Sequence, residues 1–234
     1  EKPAYVPRPY PLKLSIPWQD EHFCVIDKPA PLASQSSANH PDDALENAYY
    51  AHLGCPDDFI FRPVNRLDKG TSGLMVVACN HHSQHLLQQM LHGDEFIREY
   101  LAVVEGIPDP DEGYLDDLLL KDSAKGKSYV VQRMRKGVKD ARLQFKVLRT
   151  VATVNGTYSL VWVRLVTGRF HQIRVQFASR GMAVAGDSKY GARDRHPLSL
   201  WSFRLGFRHP VNNKRLVFTE FPDITAMPWN YFSF

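Results

Sequence analysis

Apolar and polar positions along the chain alternate with two different periods, and the periods divide it into elements. Leu143, Phe145 and Val147 alternate with Arg142, Gln144 and Lys146, which predicts a half-buried strand with a basic outer face. Tyr158 to Val166 follows as a second strand after the turn signal Asn155-Gly156. Further strands are predicted at Phe23 to Ile26, Leu74 to Cys79, Ile97 to Val104, Leu198 to Phe207 and Arg215 to Phe218, with a weaker one at Gly113 to Leu118 and a loop from Leu119 to Lys127. Helical spacing appears at Ala44 to Leu53, with Asp42 or Asp43 available as a cap, and at His82 to Leu91, where Leu86, Leu87, Met90 and Leu91 form a stripe. A third helix is predicted over Phe170 to Arg180, stopped by Gly181. Strands outnumber helices and several are joined by hairpins. The expected class is therefore α+β, with a large, mostly antiparallel mixed sheet and flanking helices, rather than a doubly wound parallel sheet.

The N-terminal stretch carries Pro3, Pro7, Pro9, Pro11 and Pro17, so residues 1–19 are expected to form an extended arm or edge segment and residues 20–234 one catalytic domain. Hydrophobic residues make up 44% and charged residues 23% of the 234, the balance of a globular protein. No apolar run reaches the roughly 18 residues of a membrane span, and no secretory signal pattern opens the chain. Cys24, Cys55 and Cys79 are odd in number and lack Cys-x-x-Cys spacing, which argues against a disulfide framework or a zinc site and favours a reducing cytoplasm. Cys79 is expected to be a buried, inert thiol.

The net charge of +4 is modest, but it is unevenly spread. Asp20 to Asp58 holds eight acids and one base, Lys28; Lys125 to Arg149 holds nine Lys/Arg and one acid, Asp140; Lys189 to Arg215 holds seven Lys/Arg against Asp194. Two basic segments in an otherwise acidic-to-neutral chain point to a face built for a polyanion, with Lys127, Arg133 and Arg135 as candidate contacts; basic exposed strand faces that serve only solubility are the alternative.

Three constellations could carry chemistry. Arg62 to Gly73 places Asn65-Arg66-Leu67-Asp68 at the mouth of the strong strand at Leu74, then turns through Gly70 and Gly73. Polar residues in such a place are site candidates, against an ordinary loop with a local Asp–Arg pair. In Thr167-Gly168-Arg169-Phe170-His171-Gln172-Ile173-Arg174, helical geometry puts Phe170, Ile173, Phe177 and Ala178 on one face with Arg174 in its middle, and Gln172 and Gln176 opposite. A core-facing guanidinium needs a carboxylate, and Asp68 is the candidate; an Arg that snorkels to water is the other reading. Tyr100 shares a strand face with Arg98 and Ala102, suited to stacking on a base or to plain sheet packing. His81, His82 and His85 lack a completing ligand and read as a solvated helix end. Neither phosphate-binding glycine motif nor a nucleophile elbow is present, so a cofactor-free, metal-free enzyme is expected.

In this order and spacing, the segments resemble the RluA-type pseudouridine synthases, which convert uridine to pseudouridine in ribosomal and sometimes transfer RNA. The resemblance runs from Asp20 to about Trp229. It includes Val25-Ile26-Asp27-Lys28-Pro29, Asn65-Arg66-Leu67-Asp68 with Thr71-Ser72-Gly73-Leu74, Tyr100-x-Ala102-x-Val104-x-Gly106, Thr167-Gly168-Arg169-x-His171-Gln172-Ile173-Arg174-Val175, Gly186-Asp187-x-x-Tyr190-Gly191 and Phe207-x-His209-Pro210. It implies that Asp68 is the nucleophile, Arg174 its partner and Tyr100 the residue that stacks on the base. Asn65 departs from the family's usual His, Arg98 from Lys and Phe170 from Thr. Many relatives carry an S4-type domain, and with so short an arm none is expected here.

The implied reaction breaks a C–N glycosidic bond and makes a C–C bond within one nucleotide, which calls for no redox partner, metal or net water. The uridine must leave its stack. Arg66 would help displace it, and Asn65, Arg169, His171 and Gln172 would line the RNA. Asp68 would attack C1′ or C6, or remove the 2′ proton. The expected partner is large-subunit ribosomal RNA, with transfer RNA as the alternative, and the expected state is a monomer. A non-catalytic RNA-binding relative in ribosome assembly is the rival reading, and an RNA-base glycosidase a third.

Overall fold

A computed structural model of the chain describes residues 6–232, so Pro3 and the first part of the arm lie outside the described residues. In chain order the elements are β1 (Ser15–Gln19), β2 (Phe23–Lys28), α1 (Leu45–His52), β3 (Ser72–Ala78), α2 (His81–His92), β4 (Ile97–Glu105), β5 (Glu112–Asp122), β6 (Lys127–Val131), β7 (Val138–Thr153), β8 (Gly156–Leu165), α3 (Gln172–Ala178), β9 (Leu200–Arg208) and β10 (Arg215–Thr219). The class is α+β, as the periodicity predicts. The chain forms two compact units. Of the described residues, the first holds 6–96 and 204–220 and the second 97–203 and 221–232, so that β9 gives Leu200–Phe203 to the second and Arg204–Arg208 to the first.

In the first unit the strand order is β1-β2-β3, with β10 paired to β9, all antiparallel. β1 stands at the edge, in keeping with the proline-rich sequence around it. Burial on both faces explains why β2 and β3 read as continuous apolar runs: Phe23, Val25, Leu74, Val76 and Ala78 join Leu87 of α2 and Leu205 and Phe207 of β9 in one core. Asn80 caps α2 by accepting from Ser83 N at 2.8 Å. At α1 neither expected cap is used. Asp42 pairs with Arg8 and Asp43 with His40, and the side chain of Asn47 instead accepts from Ala44 N at 3.1 Å. Cys24 is fully buried and its thiol pKa is pushed up to about 12 by burial; that of the half-buried Cys79 is also raised, burial being the main cause.

In the second unit the order is β4-β8-β7-β5-β6, again antiparallel throughout. The loop expected at Leu119 to Lys127 is instead the end of β5, a turn and the start of β6. Leu119 packs with Ala141 and Val175, and Asp122 accepts from Lys125 N at 3.0 Å to close the turn. The third helix is shorter than Phe170 to Arg180 because His171 takes a left-handed conformation (φ 55°). The Gln172 side chain folds back to accept from Arg169 N at 2.9 Å. Phe170 therefore lies before the helix and is exposed, not in its apolar face. Gln172 and Gln176 are also buried, since α3 is covered on both sides. Gln172 donates to Arg142 O, and Gln176 to Leu115 O and Asp117. Among the described residues no helix is long and apolar enough to cross a membrane.

Candidate active site

The stretch before Asp68 is laid along β3 by backbone bonds. Val64 N donates to Val76 O and Ala78 N to Arg62 O, each at 2.8 Å. The next bond is made by a side chain: Asn65 Oδ1 accepts from Val76 N at 2.8 Å, and the residue is buried. Leu67 is buried as well, and Ser34 clamps its peptide from both sides, donating to Leu67 O at 2.6 Å and accepting from Leu67 N at 3.2 Å. Thr71 N returns to Asp68 O at 3.0 Å, which closes a tight turn. The outcome is that Asn65 and Leu67 point inward while Arg66 is exposed and Asp68 half-buried between them.

Lys28 lies beneath this turn with no exposed surface. Its ammonium donates to Leu32 O at 2.7 Å and Pro29 O at 3.0 Å, and reaches Lys69 O at 3.5 Å, while Leu32 N donates to Lys69 O at 2.9 Å. Burial pushes its pKa down to about 7, and the negative charges of Asp68 and Asp27 pull the other way. A cation is thus built into the floor of the Asp68 loop. Lys28-Pro29 is legible in the sequence as a motif, but nothing in the sequence places the lysine in the site. The signal available was a lone base in a stretch of acids.

In the second unit Tyr100 is buried on β4, in register with Val163 of β8. Arg174 is buried on α3, as helical geometry predicts. Asp187 grips it with two bonds: Arg174 Nε donates to Oδ2 at 2.7 Å and Nη2 to Oδ1 at 2.9 Å. Such a fork fixes the guanidinium plane. The Tyr190 ring lies 5.2 Å from it, and Tyr190 Oη accepts from Ser128 N at 2.8 Å and bonds His171 Nδ1 at 2.8 Å. Gly186-Asp187 and Tyr190 were legible as motifs, but not as the clamp on Arg174.

The remaining candidates divide by how firmly the protein already holds them. His171 and Gln172 are buried, and Arg169 binds Asp140 through the backbone carbonyl at 2.7 Å and the carboxylate at 3.2 Å. Lys127 leans over Tyr129 and Tyr190 at 5.7 and 5.1 Å. Arg133 and Arg135 are exposed in the connection between β6 and β7 and have no side-chain partner among the described residues. The basic outer face of β7 is partly neutralised by β5: Arg142 pairs with Asp116 at 3.6 Å and Lys146 with Glu112 at 3.1 Å. Among the described residues no cluster of His, Cys, Asp and Glu could hold a metal, and His81, His82 and His85 are exposed.

Residues 22–179 match the family model described as RNA pseudouridylate synthase. The chain is 34% identical to the RNA pseudouridine synthase YlyB of Bacillus subtilis over 217 residues, covering 89% of this chain and 69% of that protein. It is 31% identical to the ribosomal large subunit pseudouridine synthase D of Zymomonas mobilis over 234 residues, covering 92% of this chain and 71% of the relative. Among solved structures, human RNA pseudouridylate synthase domain containing 1 has the same fold, with a TM-score of 0.72 at 21% identity over 93% of this chain and 86% of that one.

Proposed function

The chain belongs to the RNA pseudouridylate synthase family, and from that premise we propose that it isomerises specific uridines of structured large-subunit ribosomal RNA, with Asp68 as nucleophile acting on a uridine flipped out of its stack. It is an RNA pseudouridine synthase, an isomerase. The observation that supports Asp68 most directly is its mounting. Ser34 holds the peptide of Leu67 from both sides, and Lys28 sits beneath the turn, so that a half-buried carboxylate is presented on a fixed backbone. Ribosomal RNA is preferred to transfer RNA because the named relative from Zymomonas mobilis is a large-subunit enzyme.

In this reading Arg66, exposed beside the nucleophile, takes the place of the departing uridine, and Tyr100 stacks on the flipped ring. Arg174 is assigned as the partner of Asp68, an assignment that rests on the resemblance and on the burial of the guanidinium. Asp68, by attack at C1′ or C6 or by removal of the 2′ proton, lets the C1′–N1 bond break; the base turns, C5 bonds to C1′, and the proton lost from C5 matches the one gained at N1. Atoms and electrons balance without a second substrate. The exposed bases between β6 and β7 and the ring-facing Lys127 of β6 contact phosphates.

The test is incubation of the protein with unmodified large-subunit ribosomal RNA and, separately, with unmodified transfer RNA, followed by digestion to nucleosides and quantification of pseudouridine by mass. Product in the ribosomal transcript and no free uracil is expected. Product in transfer RNA alone would overturn the substrate assignment; release of uracil would overturn the isomerase chemistry in favour of a glycosidase.

A further inference from the structure

Arg98 precedes Tyr100 by two residues on β4, so the two side chains stand on the same strand face. Its guanidinium is half-buried, and Nε has neither solvent access nor a hydrogen-bond partner among the described residues. No carboxylate among the described residues pairs with it. The adjacent acid, Glu99, points to the other face and pairs with Arg164 at 3.3 Å. Burial lowers the Arg98 pKa, and the one group acting in the opposite direction is Tyr100. Arginine does not shed its proton in proteins, so an unpaired, half-buried guanidinium is a standing cost to the free protein.

Gly168 lies against this guanidinium. A Cβ at that position would fall on Arg98 Nη1, and Gly168 does not have the positive φ that calls for glycine on conformational grounds. With glycine there the Arg98 fork keeps its place, and a Cβ would push Nη1, the end of a flexible side chain, off this peptide. The backbone around it cannot move aside. Thr167 N donates to Arg142 O at 3.1 Å, Thr167 Oγ1 accepts from Arg142 N at 2.8 Å, and Arg169 N is held by Gln172. The Arg98 fork is thus laid against a pinned glycine peptide, with its charge uncompensated.

We propose that Arg98 is an RNA-binding residue that holds a backbone phosphate of the substrate on the strand face marked by Tyr100, and that Gly168 provides the clearance that lets it do so. Nε is shut off from solvent, so the terminal N–H groups are the part of the guanidinium that donates to a phosphate oxygen. The charge left unpaired in the free protein is paired when RNA binds. The proposal rests on the pseudouridine synthase reading for the identity of its polyanion.

The experiment measures RNA affinity against salt for the wild type, R98Q, R98K and G168A, using an unmodified large-subunit ribosomal RNA transcript, with melting temperature and pseudouridine yield recorded for each. R98Q is expected to fold and to melt at or above the wild-type temperature, because a buried unpaired charge is removed. Its affinity should fall about tenfold near 0.1 M salt, and the slope of log K against log salt should shrink by about 0.7–0.9, the value of one phosphate contact. R98K should keep the slope and bind more weakly. G168A should lose affinity like R98Q although the arginine is present. The apparent KM should rise more than kcat falls. An R98Q protein that melts lower or fails to fold, or that binds with an unchanged salt slope, overturns the proposal and makes Arg98 a packing residue. Absence of pseudouridine from the wild type would sink the enzymatic reading alone, since the salt slopes are read from binding.

Discussion

Asp27 and Lys28 are neighbours on β2 with opposite histories. Lys28 is turned inward and satisfied by three carbonyls, while Asp27 has a buried Oδ1 with no hydrogen-bond partner. Burial, and then the charge of Glu220, raise the Asp27 pKa from an ordinary 3.8 to about 6, with Lys28 opposing. The folded chain therefore holds this proton more tightly than the unfolded chain does. Asp27 favours folding below its unfolded pKa, and that contribution is lost as pH rises through about 6. Asp27→Asn should raise the melting temperature at pH 8 by roughly 2–6 °C and leave it unchanged near pH 3.5, as followed by circular dichroism. Asn65 stands where the family usually has His. Its carbonyl is committed to Val76 N, so its place in the chain has a structural explanation that leaves Asp68 untouched.

At the scale of elements, the turn that carries Asp68 is held by a segment far away in sequence. Ser34 makes two bonds to the Leu67 peptide. Ser34→Ala should lower stability by about 1–2 kcal/mol in urea unfolding and reduce kcat more than RNA affinity, because the nucleophile is loosened while the charged surface is unchanged. Such links mark the limit of what was legible. The strands at Leu74, Ile97 and Tyr158 and the helix at His82 follow from local periodicity, and the Asn65–Asp68, Tyr100 and Arg174 segments from motif and spacing. The Asp187 clamp lies thirteen positions from Arg174 across an irregular segment, and no periodicity encodes it. The β5–β6 hairpin was missed for a related reason: the run Leu118-Leu119-Leu120 does not alternate, although only Leu119 of the three is in the core. Phe170 was misplaced because the left-handed His171 starts α3 later than the hydrophobic stripe suggests.

For the whole molecule, the uneven charge separates into cations that are engaged within the protein and cations that are not. Arg142, Lys146 and Arg169 face Asp116, Glu112 and Asp140, whereas Arg133, Arg135 and Lys136 have no side-chain partner among the described residues. Neutralising Arg133, Arg135 and Lys136 together should shrink the salt slope of RNA binding by roughly 2, and neutralising Arg142 and Lys146 should change it by less than about 1, as measured by filter binding across a salt series. The equal loss of slope from both sets would mean that the ion pairs open on binding. The proposed reaction depends on one carboxylate, that of Asp68. The direct measurement is pseudouridine formed in unmodified large-subunit ribosomal RNA by the wild type and by Asp68→Asn at matched, saturating protein. The prediction is product from the wild type, none from the variant, and RNA affinity for the two within a factor of about three, since the amide is nearly isosteric and removes only a negative charge. Pseudouridine at the same nucleotide from Asp68→Asn would contradict the account.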